Sequence, residues 1–185
     1  MAPTEHEQLN HKTLSTSLGL APLTDKQFKS YNRLAEKMQL FHDHFKRTWQ
    51  FLEDVCEAEN LPDGLQLDDV IDKGLSFCSS LEMHHNIEEA YLFPLLARRM
   101  PYFRDGNEGP LLEQHRVIHK GLSELNDYFV LCRSSRSEFD YKLTKSKMDS
   151  WGGVLKEHLD TEVRSLGAEN MRKYWTVDEV NWILM

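Results

Sequence analysis

Thiols are scarce in this chain of 185 residues: there are three cysteines, Cys56, Cys78 and Cys132, and no Cys-x-x-Cys among them. An odd number at such spacings excludes a disulfide framework and a thiolate metal knuckle, and reads as free, buried thiols of a reducing compartment. Long apolar runs are also missing; none approaches the roughly 20 residues that span a bilayer. Positive charge is in deficit, with 22 Lys and Arg against 30 Asp and Glu and a formal net charge of -8. Nucleic acid and anionic membranes reward clustered cations, so neither is an expected partner. The N-terminus (MAPTEHEQLNHKTLSTSLGL) has no apolar core before a small-residue cleavage site. A secretory signal is therefore not expected, and the expected location is cytoplasmic. Neither an internal repeat nor the period-2 alternation of strands is present. With 40% hydrophobic and 28% charged residues, the composition suits one soluble all-α domain.

What is present is helical periodicity. Residues 1–23 are polar and aperiodic and are closed by Pro22, which predicts a flexible N-terminal arm. Thr24-Asp25-Lys26-Gln27 has the form of a capping box and opens a first helix striped by Tyr31, Leu34, Met38, Phe45, Trp49, Leu52 and Cys56. Asn60, Pro62 and Gly64 end it. A second helix is expected from about Leu67 to Met100, its inward stripe reading Phe77, Leu81, His84, Glu88, Tyr91, Leu95. Pro101, Gly106, Gly109 and Pro110 lead to a third, striped by Leu112, His115, His119, Leu122 and Phe129. A turn at Arg133–Arg136 leads to a fourth, striped by Met148, Trp151, Leu155, His158, Glu162 and Leu166. Thr176-Val177-Asp178-Glu179 is a second capping box. It opens a short C-terminal helix whose Trp182, Ile183 and Leu184 are expected to pack on the bundle or on a partner. The organisation is thus an arm (1–23), an up-down-up-down four-helix bundle (24–175) and a short helix (176–185).

Five of the nine histidines fall into one ordered pattern with two glutamates: His42, then His84-x-x-x-Glu88, His115-x-x-x-His119 and His158-x-x-x-Glu162. Residues four apart share a helix face, so each pair presents two ligands in one direction, each on a different helix and each in line with an apolar stripe. Seven such ligands turned to a common centre make a two-metal site in a bundle core. Buried without a partner, each would cost several kcal/mol. Two choices of register arise. His84/Glu88 continues the apolar stripe, whereas His85/Glu89 falls in line with the charged Glu82, so the first pair is expected to face inward. His42 stands on the stripe four residues after Met38, while His44 is turned about 200° away. Counting residues from the turns puts His42 and His84/Glu88 at one level; around the third helix the counts differ by roughly six residues, about 9 Å.

The pattern resembles the hemerythrin-like (HHE cation-binding) family. That family has a lone His on the first helix and His-x-x-x-Glu-Glu leading into Leu-Phe-Pro on the second. His-x-x-x-His follows on the third helix, and His-x-x-x-Glu/Asp on the fourth. The stretches carrying the likeness are His84-His85-Asn86-Ile87-Glu88-Glu89-Ala90-Tyr91-Leu92-Phe93-Pro94, Gln114-His115-Arg116-Val117-Ile118-His119 and His158-Leu159-Asp160-Thr161-Glu162, and it spans about Asp25 to Trp175. The oxygen-carrying members place an Asp five residues after the last His. Here that position is Val163, and Glu162, at four, takes the role.

Five imidazoles and two carboxylates suit iron, zinc or manganese rather than a sulfur site; the resemblance implies two non-haem iron ions. With both carboxylates and an oxo or hydroxo group bridging, one of about twelve octahedral positions stays open. O2, nitric oxide or peroxide would bind there. Phe45, Trp49, Leu81, Tyr91, Leu122, Trp151 and Leu155 either line the space above it or, as aromatic stripes at helical spacing more often do, simply pack the core, and Gly152-Gly153 either admits a substrate or a bulky neighbour or kinks the helix. Three functions fit: an O2-binding protein for storage, transport or sensing; a di-iron oxidoreductase, acting on O2, peroxide or nitric oxide and in one form on a small organic substrate; and an iron-responsive structural module. Oligomeric state is not legible.

Overall fold

Thr24 caps the first helix as its pattern predicts. The Gln27 amide donates to Thr24 Oγ1 (3.3 Å) while the Thr24 amide donates to Gln27 Oε1 (3.0 Å). The helix α1 runs Asp25–Ala58 and gives way to a link in which Glu59 (φ 46°) and Gly64 (φ 81°) take left-handed backbone. The computed structural model describes residues 21–106 and 109–183; the first 20 residues of the expected arm, with His6 and His11, and Leu184 of the tail lie outside them. After the link come α2 (Leu67–Ile87), a π-helical turn (Glu88–Leu92), α3 (Phe93–Leu96), α4 (Leu111–Ser134), α5 (Tyr141–Ser165), α6 (Ala168–Met171) and α7 (Val177–Trp182). No strand occurs among the described residues, and no helix among them is long and apolar enough to cross a membrane.

The second helix departs from expectation. One α-helix to Met100 is not formed; α2 stops at Ile87, and the Phe93 amide donates to the Glu88 carbonyl five residues back. Pro94 supplies a reason. Its ring clashes with the carbonyl four residues before it in a regular turn, and a wider turn relieves that crowding. A single extra residue in one turn slips the phase of the helix. The buried positions therefore run Leu81, His85, Glu88, Leu92, Leu96, Met100, while Tyr91, expected on the inner stripe, is 75% exposed.

The chain divides into two compact units, Leu40–Thr161 and Met1–Gln39 with Glu162–Met185. In the first, α2, α4 and the facing parts of α1 and α5 form an antiparallel four-helix bundle. Its core holds Phe45, Trp49, Leu52, Phe77, Leu81, Leu122, Phe129, Trp151 and Leu155. Close approach here depends on glycine. A Cβ on Gly152 would lie 2.5 Å from Trp49, one on Gly121 2.3 Å from Trp151, and one on Gly74 2.4 Å from Phe129. Gly152 thus admits a bulky neighbour, whereas nothing lies within 4 Å of a Cβ on Gly153. The height mismatch foreseen around the third helix disappears because the helix ends fall elsewhere. His115 is 19 residues from the end of α4 and His158 is 17 from the start of α5.

In the other unit, Tyr31 donates to the Trp175 carbonyl (3.0 Å), and one Arg33 nitrogen donates to the carbonyls of Val180 (2.9 Å) and Ile183 (3.0 Å). The α7 capping box forms, with the Glu179 amide 3.3 Å from Thr176 Oγ1. Val180 and Ile183 are buried, but Trp182, grouped with the apolar tail, is 83% exposed because it lies on the opposite side of this short helix.

All three cysteines are free and buried. Burial pushes the Cys56 thiol up to about 11 and Cys78 up to about 12, and the thiolate is the reactive form. Iodoacetamide at pH 8 should therefore leave Cys56 and Cys78 unmodified in the native protein and label both in denaturant, as read by mass spectrometry. A second outcome separates the paired glycines. Gly152→Ala should lower the melting temperature, at a cost of about 1–3 kcal/mol for overpacking, and Gly153→Ala should leave it unchanged or raise it, by up to about 1 kcal/mol of helix propensity.

Candidate metal centre

Each helix of the Leu40–Thr161 bundle brings histidine to one layer: α1 His42, α2 His84 and His85, α4 His115 and α5 His158. His42, His85, His115 and His158 are completely buried and Glu88, which opens the π turn, is 2% exposed. Three of these rings are oriented by what Nδ1 donates to. His42 gives its Nδ1 proton to the Leu159 carbonyl (2.9 Å), His115 to Glu89 Oε1 (2.7 Å) and His158 to Gln114 Oε1 (3.4 Å). A proton held on Nδ1 fixes the tautomer and leaves the Nε2 lone pair directed inward.

Those inward nitrogens come in pairs. His42 Nε2 lies 3.2 Å from His84 Nε2, and His115 Nε2 lies 3.1 Å from His158 Nε2. Glu88 stands between the pairs, with Oε1 3.0 Å from His84 Nε2 and Oε2 3.5 Å from His115 Nε2. Donor atoms of His42, His84 and Glu88 fall within 4.8 Å of one another, as do those of His85, Glu88, His115 and His158. Two nitrogens bound side by side to one ion at about 2.1 Å are roughly 3 Å apart, so the spacing fits cis ligation by each pair. Glu162 is completely buried one turn after His158 on α5.

The expected orientation of the second helix needs correction. His85, assigned to the solvent side, is completely buried, its ring stacked on His115 at 3.9 Å between centroids. The stripe used to choose the register included Tyr91 and Leu95, which the π turn displaces; with Leu92 and Leu96 in their place, His85 falls in line. His84 is also directed inward, its side chain 11% exposed. Burial holds the pKa of His85 well below its ordinary value, with the neighbouring imidazoles adding to the effect, so the ring is neutral and keeps a lone pair. His119 sits further out, 30% exposed, with Nε2 3.5 Å from Glu89 Oε1. It groups with Glu89 and His115. His44 is exposed, as its angle predicts.

Phe45, Trp49, Leu81, Leu122, Trp151 and Leu155 are buried in the bundle core, Phe45 5.2 Å from the His84 ring, whereas Tyr91 is on the outside. Beyond His85, sequence reasoning missed the residues that hold the rings: Glu89, Gln114 and the Leu159 carbonyl. Two of these had a signal, since Glu89 and Gln114 are polar groups directly beside a pattern residue.

Comparison with known proteins agrees with this geometry. The family model described as the hemerythrin HHE cation-binding domain matches residues 10–167, so the chain belongs to that family. It is similar to the dimeric xanthone biosynthesis cluster protein R11 of Cryptosporiopsis sp. (strain 8999), with 29% identity over 108 residues, covering 54% of this chain and 39% of that protein. The chain thus corresponds to less than half the length of that relative. No solved structure matches it.

The Glu89 contact has a measurable consequence. Carboxylates that accept the outer proton of a ligating imidazole typically support metal affinity 10–100-fold. Glu89→Ala should weaken metal retention by about that factor against a competing chelator, while Glu82→Ala, on the solvent side of α2, should not.

Proposed function

We propose that, as a member of this family, the chain holds two non-haem iron ions in the bundle core and binds a small oxidant there. In this reading His42 and His84 serve one ion and His115 and His158 the other. Glu88 would offer one oxygen to each, Glu162 is the further carboxylate of the sequence pattern, and His119 lies further out beside Glu89. The observation that carries the reading is the Glu88 carboxylate set between two inward-facing imidazole pairs. Iron held so would supply redox chemistry and an open position for O2, nitric oxide or peroxide; zinc would fit the same donors but supply no redox chemistry. The protein's part is to keep each Nδ1 proton on its outward acceptor, and to exclude water with Phe45, Leu81, Trp49 and Trp151. The free thiols support a cytoplasmic setting.

Reversible binding, for storage, transport or sensing, is the first reading, because an imidazole-rich donor set with few anions does little to stabilise high-valent iron. An oxidoreductase acting on an apolar organic substrate is the second. It is favoured by the exposed Phe41 (53%), Met83 (62%), Ile87 (52%) and Tyr91 (75%), with the Phe41 ring 5.6 Å from His84, a residue that is itself partly open. Similarity to a protein named for a xanthone biosynthesis cluster adds support for an aromatic substrate. Nothing favours a purely structural role over these.

Anaerobic loading with ferrous iron should give two ions per chain by elemental analysis, and His84→Ala should lose one or both. On exposure to O2, a visible band that disappears on evacuation supports the carrier or sensor, and bleaching with turnover supports the enzyme. The loaded protein should also melt higher than the metal-free one, by about 2.7 kcal/mol of stability at a hundredfold excess over Kd. The ligand imidazoles must be deprotonated to bind and an ordinary imidazole titrates near 6.5, so the gap should widen from about pH 6 to pH 8. Superimposable melting curves would remove the metal site from the account.

A further inference from the structure

We infer that His85 is itself a metal ligand, donating to the ion held by His115 and His158, and that His119 remains outside that ion's coordination shell. The inference rests on the two-metal reading above and goes beyond the seven residues chosen from the sequence pattern, which leave His85 out.

Four observations carry it. The His85 ring is 0% exposed, and neither of its nitrogens has a hydrogen-bond partner. A buried polar group left so costs about 1–3 kcal/mol, and native proteins rarely tolerate it without cause. His85 is also not isolated: its donor atom gathers with those of Glu88, His115 and His158 in a group whose four members are all buried. Its ring stacks on His115 at 3.9 Å and meets His158 edge-on at 5.2 Å, so it shares their layer. His119 has the opposite character, being 30% exposed with its Nε2 beside the Glu89 carboxylate.

Helix geometry explains how one segment serves both positions. Consecutive residues on an α-helix point about 100° apart. His84 and His85 therefore diverge, the first toward His42 and the second toward His115 and His158, while Glu88 one turn later stands between them. The π turn makes the arrangement durable. By slipping the phase after Glu88, it lets Leu92 and Leu96 pack inward without turning His85 away. With His85 counted, three imidazoles would serve one ion and two the other, and the exposed Phe41 ring lies 5.6 Å from His84, a member of the second set.

The test counts ferrous ions per full-length chain by native mass spectrometry and elemental analysis, with circular dichroism reporting helix content. Wild type and His119→Ala should each hold two ions, and His85→Ala one. His85→Gly, which leaves a space shaped for the missing ring, should hold one ion alone and regain the second when imidazole is added, a result that separates ligation from a mere packing defect. Two ions in His85→Ala, or loss in His119→Ala with His85→Ala intact, would overturn the inference and leave the two-metal reading standing. Failure of imidazole to restore the second ion in folded His85→Gly would overturn it too. Fewer than two ions in wild type would instead overturn the two-metal reading itself, and the inference would fall with it.

Discussion

A carboxylate buried among imidazoles sets the terms for the rest of this bundle. Glu88 is 2% exposed, and taking an ionised carboxylate out of water is expensive unless compensating charge and donors surround it. The chain surrounds it with histidines whose outer nitrogens are already committed: to the Leu159 carbonyl, to Glu89 and to Gln114. Their inner nitrogens therefore offer lone pairs rather than protons. An arrangement of lone pairs facing a carboxylate is repulsive until a cation enters, which makes this layer a demand for metal as much as a place for it.

That demand is supported by packing directly beneath. Trp49 and Trp151 meet edge to face at 4.8 Å between ring centroids, an orientation aromatic pairs prefer. They fit only because Gly152 and Gly121 have no side chain in the way. The glycine cost in helix propensity, about 1 kcal/mol each, is offset by the burial of two indoles. The helices are thus spaced for large rings below the layer and for imidazoles within it.

Much of this was legible in the sequence, because periodicity and capping are local. The first helix start at Thr24, the last at Thr176 and the convergence of His42, His84, Glu88, His115 and His158 all follow from spacing along single helices. What was not legible depended on one departure from regular spacing. A stripe drawn at constant α-helical period through Pro94 places Tyr91 inside and His85 outside, and both are reversed. The proline was visible, but whether a helix answers it with a break, a kink or a wide turn is decided by tertiary packing. His119 shows a related limit. Four residues from His115 puts it on the same face, but its 30% exposure and its place beside Glu89 depend on helix tilt, which no spacing records.

The wide turn at Glu88–Leu92 also separates two kinds of constraint on one segment. Upstream of it, ring orientation is set by the direction in which α2 presents His84 and His85; downstream, Leu92, Leu96 and Met100 answer to packing alone. Because the slip lies between them, the donor residues upstream and the apolar residues downstream each keep an inward phase that one unbroken α-helical period would not give to both.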